Sequence, residues 1–155
     1  DLLFDGIDVD FGEGSIVKSN FSSIGNDAID FSGSSASIKN ISFSDIGDKI
    51  ISTGEKSIIN VIDIKGRNAK VGLASKDGSR IYADKVSFVN VKYPFAAYQK
   101  KKEYTYGQIF LNKYFSLNHD YEFIHDKKSL IYDNLNNIKL LNSNSNFKKI
   151  LKLII

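Results

Sequence analysis

The sequence predicts an all-β fold, a right-handed parallel β-helix with coils of about 22 residues. Three observations carry that prediction. Large apolar residues recur at one interval: Ile7, Ile29, Ile51, Leu73 and Phe95 are each 22 positions apart. A flanking row, Gly6, Ala28, Ile50, Gly72 and Pro94, keeps the same interval. Turn signals recur between these rows, at Gly12-Glu13-Gly14, Gly33-Ser34-Ser35, Gly54-Glu55-Lys56 and Asp77-Gly78-Ser79. A fixed period in the twenties, made of short alternating apolar runs and turns, marks a solenoid whose coils bury their apolar rows by stacking. Parallel crossovers are right-handed in nearly all proteins.

The elements follow in order. Residues 1–14 read as the tail of a coil, with Ile7 and Val9 alternating against Asp8 and Asp10 as a strand does. The coil over about 15–35 turns Ile16, Phe21, Ile24, Ile29 and Phe31 inward. The coil over about 36–56 repeats it, Ile46-Gly47-Asp48 matching Ile24-Gly25-Asn26. The next two use Ile59, Ile62, Ile64 and Leu73, then Ile81, Val86, Phe88, Val91 and Phe95, giving about five regular coils to residue 101. Asn20, Asn40 and Asn60 recur every twenty residues and are expected to stack their amides. Pro94 has no N–H, so it removes a ladder bond unless it begins a strand.

After Pro94 the period breaks at Tyr98-Gln99-Lys100-Lys101-Lys102-Glu103, expected to protrude as a loop. Residues 106–141 read as irregular β coils that complete a domain over 1–141. Residues 142–155 are a polar link, Asn142 to Asn146, and an amphipathic segment with Phe147, Ile150, Leu151 and Ile154 at helical spacing. That segment reads as a short capping helix or a terminal strand, with a membrane-surface or partner helix as the sharper alternative.

Composition excludes several functions. The chain of 155 residues has no Cys, which removes disulfides and thiolate metal sites. No apolar run is long enough to span a membrane. Net charge is +3, and no nucleic-acid motif is present. The absence of Met and the initial Asp lead us to expect a fragment of a longer protein carrying other domains.

Two clusters carry candidate chemistry. Asp5 and Asp27 lie one period apart, as do Asp8 and Asp30. Carboxylates on adjacent rungs repel unless a cation, a proton or open solvent intervenes. Ca²⁺ would suit Asp8 and Asp30 as oxygen ligands, and Asp5, Asp27 and Asp30 are the candidates for acid–base work on a glycosidic bond. The bland alternative is a set of solvated turn residues. The second cluster interleaves Tyr93, Tyr98 and Tyr104 with Lys100, Lys101 and Lys102. Tyrosine faces stack on sugars and lysines attract anions, which fits an acidic polysaccharide. Here too a solvated loop packed on the last coil is the plainer reading. His119 and His125 match no metal motif and read as surface or packing residues.

Asn26-Asp27-Ala28-Ile29-Asp30-Phe31-Ser32-Gly33-Ser34, Gly72-Leu73-Ala74-Ser75-Lys76-Asp77-Gly78-Ser79 and Ala96-Ala97-Tyr98-Gln99-Lys100-Lys101-Lys102 resemble bacterial β-helix repeat proteins of the pectin-lyase-like superfamily. The likeness covers roughly residues 1–110. It implies the β-helix and an extracellular or cell-envelope location, in a superfamily of lyases, hydrolases and non-catalytic surface proteins. The motifs of polygalacturonase-like members are incomplete: Leu3-Phe4 stands for Asn-Thr, Asn26 for an Asp, and no His follows Gly47. Three functions stay open: a non-catalytic domain binding or presenting carbohydrate, which is preferred, a polysaccharide-active lyase or glycoside hydrolase, and a structural spacer.

Overall fold

The computed structural model describes residues 3–140 and 147–154; the polar run Asn142 to Asn146 lies outside them. The chain winds into a β-solenoid of about six turns, with coils of about 22 residues. The first coil is formed by β1 (Ile7–Asp10), β2 (Glu13–Val17) and β3 (Asn20–Ile24). It is followed by β4 (Ile29–Ser32) and by three strands that each bend around a whole coil, β5 (Ser35–Gly54), β6 (Ile58–Lys76) and β7 (Arg80–Tyr98). The last full coil holds β8 (Gln108–Leu111), β9 (Tyr114–Leu117) and β10 (Phe123–His125). All these strands pair in parallel, and the expected row is one rung per coil: Ile7, Ile29, Ile51, Leu73, Phe95 and then Phe123. Ile29, Ile51, Leu73 and Phe95 are fully buried because a like side chain lies above and below each.

Single residues in the left-handed conformation turn the corners. Lys18, Asn40, Asp63 and Lys85 do so at one corner, and Ser23, Asp45, Asn68, Asn90 and Asn118 at the next. Asn and Asp tolerate that conformation best. The second corner also carries an amide ladder: Asn68 Nδ2 donates to Asp45 Oδ1 at 2.7 Å, Asn90 Nδ2 to Asn68 Oδ1 at 3.2 Å and Asn118 Nδ2 to Asn90 Oδ1 at 3.0 Å. The expected stack of Asn20, Asn40 and Asn60 does not form. Asn20 pairs with Ser42 and Asn60 with Ser37 and Tyr82, because the rungs are 22 or 23 residues apart and not 20.

Local insertions keep the inward row in line. Ser35 pairs with Ile58, one residue beyond the regular step, and the register returns at Ile51 with Leu73 after an irregularity between Ile46 and Lys49. There Gly47 passes so close to Gly25 that a Cβ would sit 2.1 Å from the Gly25 carbonyl oxygen. In β6 the inward residue is Val61, fully buried, whereas Ile62 faces out and is half-buried. Ile16 and Phe21 face in but stay half-buried, since the first coil is covered on one side only.

Before the last coil the step lengthens to 28 residues. The extra residues form the expected loop after Tyr98. The Asp77 carboxylate holds it, accepting the Lys100 and Lys101 N–H groups at 2.7 Å each, and Asp126 accepts the Gln99 N–H at 2.7 Å. β11 (Leu130–Asp133) adds in parallel to β8 and then pairs antiparallel with β12 (Ile138–Lys139), which ends the ladder.

The expected short C-terminal helix is α1 (Phe147–Ile154). It lies against the flank of the last coils. Ile150 and Ile154 pack with Val71, Ala74, Ala96, Tyr98 and Ile124 in a cluster separate from the inner core. Residues 74 and 96 alternate with the inward Leu73 and Phe95, which makes this the outer face of the sheet. No described helix is long and apolar enough to cross a membrane.

Candidate functional site

The stacked register brings the aspartates together as the sequence predicts, and gives them partners. Asp5 Oδ1 accepts the Asp27 N–H at 3.0 Å and Asn26 Nδ2 at 2.7 Å. One coil later, Asp27 Oδ1 accepts the Lys49 N–H at 3.0 Å, with Lys49 Nζ 3.6 Å away. Lys49 Nζ also bonds Asp48, and Lys70 Nζ lies 3.4 Å from Asp48. Burial lifts the Asp27 carboxyl above its usual range against the pull of Lys49. Burial alone would push the Lys49 ammonium down, but Asp27 and Asp48 carry it up, so the lysine keeps its charge.

Asp8 pairs with Asp30 on the neighbouring rung. Partial burial, then Asp10, Asp30 and Asp5, raise the Asp8 carboxyl. The cation on this row is Lys76, whose Nζ lies 3.6 Å from Asp30 Oδ1. Lys76 stands two coils beyond Asp30. Its stem crosses Gly54, where an added Cβ would sit 3.1 Å from Lys76 Cε. Ser52, the next residue in the Asp30 row, is fully buried with an unpartnered Oγ. Both aspartate rows thus clamp backbone amides or lie beside lysines. Among the described residues no group of three His, Cys, Asp or Glu is placed to hold a metal ion.

The aromatic–basic cluster divides. Tyr93 and Tyr98 are 3% and 1% exposed, packed in the cluster under α1, so their ring faces meet protein and not solvent. Tyr98 Oη donates to the Ile154 carbonyl at 3.4 Å, and burial pushes its hydroxyl well above the usual tyrosine range. Lys100, Lys101 and Lys102 stay exposed on the loop. Lys101 Nζ bonds Glu55, and the half-buried Tyr104 ring lies under the Lys56 ammonium, 5.9 Å from its centroid. His119 is exposed and His125 buried, its Nδ1 2.7 Å from the Asp126 carbonyl.

A further concave surface lies elsewhere and was not singled out from the sequence. A groove of about 570 Å³ runs along the outer face of the third side of the stack, the side that begins at β3. Strand alternation builds it: in β3 and β5 Phe21 and Phe43 point in and stack at 5.2 Å, leaving Asn20, Ser22, Ser42 and Ser44 outside. In β6 Gly66 is the inward residue between the outward Lys65 and Arg67, and in β7 Ser87 and Val89 continue the rows. No acidic residue lines the groove, and neither Lys65 nor Arg67 makes an ion pair or side-chain hydrogen bond with the described residues. The signal was present in Ile64-Lys65-Gly66-Arg67, where period two puts both cations on one face, but exterior serines and lysines are common on any strand.

A smaller groove of about 340 Å³ on the second side, the side that begins at β2, includes Tyr82, Phe110, Asn60 and Asn112. Tyr82 stacks on Phe110 at 5.1 Å and 12°, which covers one face of each ring, and Tyr82 stays 39% exposed. Comparison of the chain with protein-family models, with curated proteins and with solved structures returned no match.

Proposed function

We propose that this chain is a non-catalytic β-solenoid domain that binds carbohydrate, in a longer secreted or cell-envelope protein, as the resemblance to pectin-lyase-like repeat proteins implies. One observation carries the reading: the open groove lined by serine hydroxyls and by two cations that make no ion pair with the described residues. Hydroxyls and an amide supply the donors and acceptors that sugar hydroxyls need, and the cations attract an anionic glycan. Lys65 and Arg67 are exposed, so changing them leaves the core intact. Replacing both by Glu is expected to abolish retention on immobilised acidic polysaccharide while the melting temperature changes little. Retention equal to that of the unaltered chain would sink the proposal.

The competing reading is a polysaccharide-active enzyme, favoured by one feature, the raised Asp27 carboxyl beside the charged Lys49. The Asp27 carboxylate is already engaged by the Lys49 N–H, which suits a brace better than an acid free to reach a glycosidic oxygen. Chain shortening of a polysaccharide that stops in Asp27→Asn would replace the binding reading with the enzymatic one.

A further inference from the structure

The distribution of charge along the groove narrows the ligand, if the carbohydrate-binding reading holds. The groove spans four rungs, from Asn20 in β3 to Val89 in β7. Rungs repeat roughly every 4.8 Å, so a bound chain follows the solenoid axis for about 14 Å. A polysaccharide with a charge on every sugar would call for cations on successive rungs. They are absent: one outward row reads Asn20, Ser42, Lys65, Ser87 and the other Ser22, Ser44, Arg67, Val89. Both cations sit on one rung, two residues apart on one face, about 7 Å between their Cα atoms. Beyond that rung the same rows end in Phe115 and Leu117, 53% and 50% exposed, which offer nothing to a second anion.

We infer that the groove takes a largely neutral oligosaccharide bearing a single phosphate or sulfate ester, seated between Lys65 and Arg67. A tetrahedral oxyanion presents several acceptor oxygens, which lets the Arg67 guanidinium bind in a fork while the Lys65 ammonium approaches from the side. The neutral sugars lie over the hydroxyl-rich rungs of β3 and β5, where Ser22, Ser42 and Ser44 face out. A lone carboxylate has fewer oxygens to share between two cations and is the weaker fit.

The test titrates the chain by calorimetry with four tetrasaccharides: neutral, with one phosphate monoester, with one sulfate monoester, and an oligogalacturonate charged on every sugar. The expected result is that an ester-bearing probe binds at least tenfold more tightly than the neutral probe and the oligogalacturonate; the tighter of the two esters identifies the group. Lys65→Gln and Arg67→Gln should each weaken that binding about tenfold, which is about 1.4 kcal/mol. Lys39→Gln, the same charge change on another side of the solenoid, should not. Oligogalacturonate binding as tight as the esters and dependent on Lys65 and Arg67 would overturn this inference and leave the carbohydrate reading standing. Binding by none of the four would remove both, and ester binding indifferent to the two cation variants would place the ester elsewhere and overturn the inference.

Discussion

Asp133 holds the turn between β11 and β12. Its carboxylate accepts the Asn136 N–H at 3.0 Å and Asn136 Nδ2 at 2.8 Å, and Tyr114 Oη donates to it at 3.3 Å. The Asn136 backbone bond first, then the side-chain bonds, hold the Asp133 carboxyl below its ordinary value of 3.8. Burial, with Asp133 and Glu122 nearby, pushes the Tyr114 hydroxyl up to about 12, so it remains a donor. A carboxyl depressed in the folded state stabilises the fold above its unfolded pKa, and the contribution fades as pH falls through the depressed value. The turn should therefore loosen as pH falls below 3.8, read from the Asn136 amide resonance as acid is added. Asp133→Asn should remove that transition, and its persistence in the variant would assign it to another carboxyl. Asp27 has the opposite sign: burial raises it, so its charge at neutral pH is a cost that Lys49 offsets. The aspartate rows were legible in the sequence because they obey the period. Their lysines were not, because Lys76 reaches Asp30 across a whole coil over the bare backbone of Gly54.

At the scale of one element, the corner with Asn68 and Asn90 shows how a coil is turned and fastened at once. Asn68 has a φ of 55° and sits in the middle of the ladder, donating to Asp45 and accepting from Asn90. Asn68→Ala loses both bonds and places a Cβ residue without side-chain compensation in the left-handed region. The expected cost is about 1–3 kcal/mol, from exposed hydrogen bonds of about 1 kcal/mol each and the strained backbone. Asn68→Gly loses the same bonds but relieves the strain, so thermal unfolding should rank it between the unaltered chain and Asn68→Ala. Equal melting temperatures for the two variants would show that backbone strain contributes nothing at this corner. The inward rows could be read from the sequence because apolar side chains repeat at one interval. This ladder could not, because the inserted residue in the coil of Glu55 and Lys56 puts Asp45 and Asn68 23 positions apart while Asn68 and Asn90 are 22 apart. The interval of twenty among Asn20, Asn40 and Asn60 came from composition and not from stacking. The groove was illegible for a related reason: its serines, Lys65 and Arg67 look like any strand exterior until the rungs are superposed.

For the whole molecule, what matters is that coils pack mainly on their neighbours, with a few side chains such as Lys76 reaching two coils, so stability is close to a sum of rung-to-rung terms. α1 is an addition on the flank of that stack. Ile150 and Ile154 cover Ala74, Ala96, Tyr98 and Ile124, which belong to the outer face of β6, β7 and β10. A helix of eight residues has little stability by itself, so its place depends on that burial. Ile150→Asp replaces a buried aliphatic side chain with a charge, removing about 1.5–3 kcal/mol of apolar burial and adding the cost of desolvating a carboxylate. The helix should leave the flank. Amide exchange should then rise along Tyr93–Tyr98 and at Ile124, the backbone beneath the exposed patch. β5 lies farther down the stack, with its inward rows still sealed by β4 and β6, and should keep its protection. The groove of Lys65 and Arg67 is on a different side of the solenoid, so ligand binding there should survive the substitution. Loss of protection throughout β5 would mean instead that α1 and the coils unfold as a single cooperative unit, and that the rung-to-rung account of this solenoid is wrong.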